Sequence, residues 1–152
     1  MNKRENFFVS LFNSLLFGVI FTFAVPIFNG QGIVWGQVPV QLVANFLVGL
    51  IISLVIPSGK WGGMLAGKIA KPGSVLFRFI LRSVILLIML LFMCPIMAVL
   101  FACVMGGAPV AAVLPTSYSV YLPLYIVGIV ILMLIGDYVT NLAMKCAHLG
   151  DK

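Results

Sequence analysis

Long apolar runs, interrupted by short clusters of Gly, Pro, Asn and charge, set the pattern of this chain. A membrane-spanning helix needs about 20 mostly apolar residues, and four runs reach that length. The first extends from about Phe7 to Phe28 and ends at the turn-forming pair Asn29-Gly30. The second starts near Pro39, a residue suited to the first helical turn, and runs to Ile56 before Pro57-Ser58-Gly59 interrupts it. The third covers about Val75 to Val104, and the fourth begins between Pro115 and Pro123 and fades near Met144. The pattern therefore predicts an all-α integral membrane protein, one domain over 1–152, with four transmembrane helices. Composition agrees: 63% of the 152 residues are hydrophobic and 8% are charged, whereas soluble domains carry roughly 25% charge.

Charge adds direction. All nine basic residues fall on one side of the four-span arrangement: Lys3 and Arg4, then Lys60, Lys68, Lys71, Arg78 and Arg82, then Lys145 and Lys152. The connections Asn29 to Val38 and Met105 to Tyr121 carry no charge. The Lys/Arg bias of cytoplasmic loops predicts both termini on the cytoplasmic side of the inner (plasma) membrane. Topology thus accounts for the net charge of +6, and the aromatic residues lie inside apolar runs, so nucleic acid is not expected as a partner. The start of the chain also looks like a secretory signal peptide, but its apolar run is long and no small-x-small site precedes Asn29, so retention is expected. Cys94, Cys103 and Cys146 suggest no disulfide framework.

The two halves align with each other. Residues 7–28 laid on 76–97 give five identities in 22 positions: Phe8 with Phe77, Ser14 with Ser83, Phe23 with Phe92, and Pro26-Ile27 with Pro95-Ile96. Leu47-Val48-Gly49-Leu50-Ile51 falls on Ile126-Val127-Gly128-Ile129-Val130 after ten extra residues in the second outer loop. The expectation is a tandem duplication of a two-helix hairpin: unit 1 at about 7–58, a basic connection at about 59–74, and unit 2 at about 75–145. Small residues four apart, Ser14 and Gly18, Gly49 and Ser53, Gly136 and Thr140, suit close approach of helices. Pro26 and Pro95 are expected to kink or stop their helices near the outer end. The hairpin pattern, with Asn13-Ser14, Thr22, Asn29-Gly30 and Pro57, resembles an uncharacterised family of short bacterial membrane proteins built from one or two two-helix units. The resemblance covers mainly 7–58 and implies the duplicated hairpin without implying an activity. The second half departs from it, with Arg82 where Asn13 would sit and no Asn-Gly turn after Pro95.

Polar groups inside apolar spans are costly and therefore mark candidate sites. The stretch Leu122 to Ile135 has 14 residues, too few to cross alone, so either the fourth helix passes Gly136-Asp137 or it begins near Val113. In the first case Asp137 lies about 10 Å inside the cytoplasmic end. Arg82 and Asn13, at aligned positions, and Asn141, one turn from Asp137, could join it as a substrate-binding cluster or as a structural ion pair with Arg82 snorkelling beside Arg78. Asn45, about two turns into the second helix, is expected to tie helices together or contact a ligand. Tyr118, Tyr121, Tyr125, Trp35 and Trp61 read as interfacial anchors.

No metal or cofactor is expected. Met89, Met93, Met97 and Cys94 gather soft sulfur on the third helix, but methionine also fills cores, and Cys146 with His148 supplies only two zinc ligands. Gly62 to Lys68 mimics part of a phosphate-binding loop, yet Ile69 follows where Mg²⁺ needs a hydroxyl. That segment reads instead as a basic loop or an amphipathic stretch, with Trp61, Met64, Leu65 and Ile69 toward lipid and Lys60, Lys68 and Lys71 toward headgroups. Catalysis is not expected, because His148, Glu5 and Asp151 are all terminal. The sequence thus favours binding or transport of a small amphipathic or anionic molecule through the cluster near the cytoplasmic side. The other reading is an accessory subunit of a larger membrane complex. Expected partners are membrane lipids, a second copy of the chain or such a complex.

Overall fold

The computed structural model describes residues 3–30 and 32–149. It contains α1 (Lys3–Phe28), α2 (Val38–Val55), α3 (Ser58–Ile69), α4 (Val75–Ala98), α5 (Val110–Ser117) and α6 (Tyr121–His148). A π-helical stretch, Val99–Met105, continues α4. Four elements are long and apolar enough to cross a membrane: α1, α2, α4 with its π-helical extension, and α6. These are the four runs read from hydropathy, with the fourth starting at Tyr121 and passing through Asp137. Lys152 and Asp151 lie outside the described residues.

The spanning helices form a closed ring in the order α1, α2, α4, α6, each packing on its two neighbours. Neighbours run antiparallel. Ser14 faces Ser53 and Thr22 faces Asn45 across α1 and α2, while Ser83 faces Tyr125 and Arg78 faces Asp137 across α4 and α6. His148 Nε2 lies 3.2 Å from Glu5 Oε1, so the start of α1 and the end of α6 share one end of the bundle. The described basic residues collect there, which makes it the basic end; the opposite, neutral end holds residues 29–37 and 106–120.

In a bilayer the apolar surface gains little by leaving lipid, so packing and interhelical hydrogen bonds hold such a bundle together. Phe17, Phe21, Leu86, Met89, Leu90, Met93 and Leu124 fill its centre. Small residues set the distances between helices. A Cβ on Gly18 would lie 3.3 Å from the Phe46 backbone nitrogen, and Gly49 sits against Met89 and Met93. The methionines thus serve as core packing. Outward-facing Leu134, Val55 and Ile51 are 77%, 74% and 61% exposed, as suits faces that meet lipid chains.

At the basic end α3 folds back on α4. Its small residues Ser58, Gly62 and Ala66 face inward, with Gly62 directly on Leu81. Trp61, Met64, Leu65 and Ile69 are exposed, as are Lys60 and Lys68. At the neutral end Gly30, at φ 69°, takes the left-handed conformation that ends α1. The second outer connection is more than a loop, because it contains α5.

Candidate functional site

Two polar regions stand out, one toward each end. Toward the basic end, Ser74 caps α4 by accepting a hydrogen bond from the Phe77 backbone N–H, which starts the helix that carries Arg78 and Arg82 on successive turns. Arg78 Nη1 donates to Asp137 Oδ2 at 2.7 Å, and Arg82 Nη2 donates to Asp137 Oδ1. Arg82 Nη1 also donates to the Leu132 carbonyl at 2.7 Å. Gly136 makes this possible: a Cβ there would lie 3.1 Å from Arg82 Cζ, so only glycine leaves room for the guanidinium to lie across α6 without displacement.

Both oxygens of Asp137 are occupied, which makes the group a clasp between α4 and α6. The Arg82 side chain is 11% exposed and that of Asp137 49%, so the carboxylate draws an inward-lying guanidinium toward the bundle edge. Of the four residues grouped from the sequence, the structure brings together only Arg82 and Asp137, with Arg78 as the third member. Asn13 is half-buried on α1 and Asn141 is exposed, and neither hydrogen-bonds with the clasp. Position along a helix sets depth and direction around its axis decides contact: Asn13 sits on α1, away from the clasp, and Asn141 lies one turn, about 6 Å, along α6 from Asp137. Arg78 was legible only as a snorkelling neighbour; its spacing from Arg82 was the available signal.

Toward the neutral end, α1, α2, α4 with its π-helical extension, and α5 border a half-open cavity of about 440 Å³. Small-molecule sites commonly measure roughly 300–1,000 Å³. Phe21, Met97, Phe101 and Val113 supply apolar wall, and Gln41, Asn45, Thr116 and Ser117 supply uncharged polar groups. Asn45 is 4% exposed, and its Nδ2 donates to Thr22 Oγ1 at 3.0 Å. The Thr22 hydroxyl donates in turn to the Gly18 carbonyl at 2.7 Å. Of the residues singled out from the sequence as ligand contacts, Asn45 is the one that lines this cavity.

The backbone of α4 changes form beside the cavity for a traceable reason. Pro95 has no N–H to give to the Leu91 carbonyl one turn back. The Tyr118 hydroxyl donates to that carbonyl at 3.3 Å, and π-helical geometry begins at Val99. Tyr121 donates to the Leu87 carbonyl at 3.1 Å and Tyr125 to Ser83 Oγ at 3.0 Å. The three tyrosines expected at a lipid interface therefore work as a ladder along α4, with their hydroxyls turned to the helix. The cavity itself was not foreseen. Its one advance signal was the ten-residue excess in the second outer loop, the segment that builds α5.

Comparison with protein-family models, curated proteins and solved structures gives no match. Among the described residues no three His, Cys, Asp or Glu side chains gather as a metal site.

Proposed function

We propose that this chain is a multi-pass protein of the inner membrane that binds a small, uncharged amphipathic molecule in the cavity at its neutral end. The observation that carries this reading is a chamber of about 440 Å³ with aromatic and aliphatic walls and a buried amide, Asn45, on one side. Among the described residues no Asp, Glu, Lys or Arg lines it, so of the amphipathic or anionic molecule expected from the sequence the cavity favours the uncharged amphipathic one. The Arg78–Asp137–Arg82 clasp then holds the basic end together and does not touch the ligand. Transport would require that clasp to open, and binding requires only the cavity.

Topology follows from charge: the basic end, with both termini, faces the cytoplasm. The exposed Trp61, Met64 and Leu65 of α3 meet lipid there, beside Lys60 and Lys68 at the headgroups. The tandem duplication is part of the same proposal. Aligned Ser14 and Ser83 each bond to the second helix of their own hairpin, aligned Gly49 and Gly128 each touch the first helix of their own hairpin at Ser14 and Leu86, and the ring order is preserved when the units are exchanged.

Native mass spectrometry of the protein released from its own membrane tests this reading, with Ala98→Phe as the variant that fills the cavity from its lining. Wild type is expected to retain a small molecule that Ala98→Phe loses. Equal retention by both would overturn the assignment of the cavity as the binding site.

A further inference from the structure

The polarity of the cavity wall can be read atom by atom. A hydroxyl has one proton to give, and Thr22 gives its proton to the Gly18 carbonyl. Thr22 Oγ1 can therefore only accept from Asn45, which fixes the amide with Nδ2 toward Thr22. The carbonyl Oδ1 of Asn45 takes the other direction. It has no partner within the protein, and it is not among the fully enclosed unsatisfied atoms, so it opens onto the cavity that Asn45 lines. A carbonyl oxygen nearly surrounded by apolar side chains is costly unless a donor reaches it.

Two hydroxyls on the α5 wall repeat this orientation. Thr116 donates to the Val113 carbonyl at 2.9 Å and Ser117 to the Leu114 carbonyl at 2.6 Å, both on their own helix. Such back-bonding hydroxyls present only lone pairs to the space beside them. Asn45, Thr116 and Ser117 thus offer acceptors from two walls, and Asn29, Gln41 and Ser119 complete the polar lining.

We infer that the cavity selects a neutral molecule carrying a hydrogen-bond donor, a hydroxyl or amide N–H on an apolar body, and that Asn45 Oδ1 receives that donor with Thr22 as the positioning residue. The inference rests on the reading of the cavity as the binding site, and the experiment separates the two.

The probes are a medium-chain alkanol bearing a diazirine in its chain and the methyl ether of the same compound. They differ only in the donor. The full chain is reconstituted in phosphatidylcholine vesicles, irradiated at equal membrane concentrations of probe, and mapped by mass spectrometry. The alcohol is expected to label the cavity segments 94–102 and 113–120 about tenfold more than the ether. In Asn45→Leu that preference should vanish while labelling persists, and in Thr22→Val, where the amide is free to turn, it should fall toward one. Equal labelling of the cavity by both probes would overturn the donor inference and leave the cavity reading standing. Adducts confined to lipid-facing positions such as Leu134 and Ile51 would overturn both. Undiminished preference for the alcohol in Asn45→Leu would remove Asn45 as the acceptor.

Discussion

The two ends of this bundle treat polar groups in opposite ways. Toward the basic end, two guanidinium groups and one carboxylate close on each other and on a backbone carbonyl, with Gly136 cut back to make room. Toward the neutral end, uncharged amides and hydroxyls border open space, and Thr22, Thr116 and Ser117 give their protons to backbone carbonyls instead. The lesson is that an ionisable residue in a span marks a place where folding needed an explanation, and that place need not be the ligand site. A carboxylate whose two oxygens are both bonded has no acceptor left to offer a ligand, although Arg78 Nε beside it keeps an unused donor. An amide held at one end only still has an atom to give.

Breaking the basic end should have the largest effect on stability. Asp137→Leu leaves the inward-lying Arg82 without its carboxylate, and because the carboxylate itself is half-exposed the expected cost is about 2–3 kcal/mol, below that of a fully buried pair. Denaturant unfolding in detergent is the measurement, and the double variant Arg82→Met with Asp137→Leu should recover most of the loss, because no uncompensated charge remains. Retention of the small molecule should survive in both. A mutation midway between the ends sharpens the comparison: Gly18→Ala places a Cβ against the Phe46 backbone, which cannot turn aside as a side chain can. The expected cost is about 1–2 kcal/mol in the same unfolding experiment. It should also weaken ligand retention, since the Gly18 carbonyl anchors Thr22 and hence Asn45.

The smallest effect belongs to the tyrosine ladder at the neutral end. Tyr118→Phe leaves the Leu91 carbonyl without its hydroxyl donor and should cost about 0.5–1 kcal/mol. Hydrogen–deuterium exchange should show faster exchange in 106–120 with little change in 75–90. Uniformly faster exchange along α4 would mean that the ladder supports the whole hairpin and not the cavity roof alone.

What was legible in the sequence follows the same division. Four long apolar runs and one-sided basic charge determine span number and the end at which charge gathers, since both depend on position along the chain. Helix rotation and loop folding depend on packing. For that reason Arg82 and Asp137 meet, whereas Asn13, at the position aligned with Arg82, does not join them. The pairing of Thr22 with Asn45 was within reach of hairpin arithmetic, because the two lie at similar distances from the connection between α1 and α2. The cavity was not, because it depends on α5 and on the π-helical stretch after Pro95, neither of which has a periodic signature.

The central claim, that the ligand belongs to the hollow end and not to the charged one, is tested most directly by placing one variant at each end in the same measurement. Native mass spectra of wild type, Ala98→Phe and Asp137→Asn, each released from its own membrane, would be compared for retained small molecules. The account predicts retention in wild type and Asp137→Asn and loss in Ala98→Phe. Loss in Asp137→Asn with retention in Ala98→Phe would contradict it and return the binding site to the basic end.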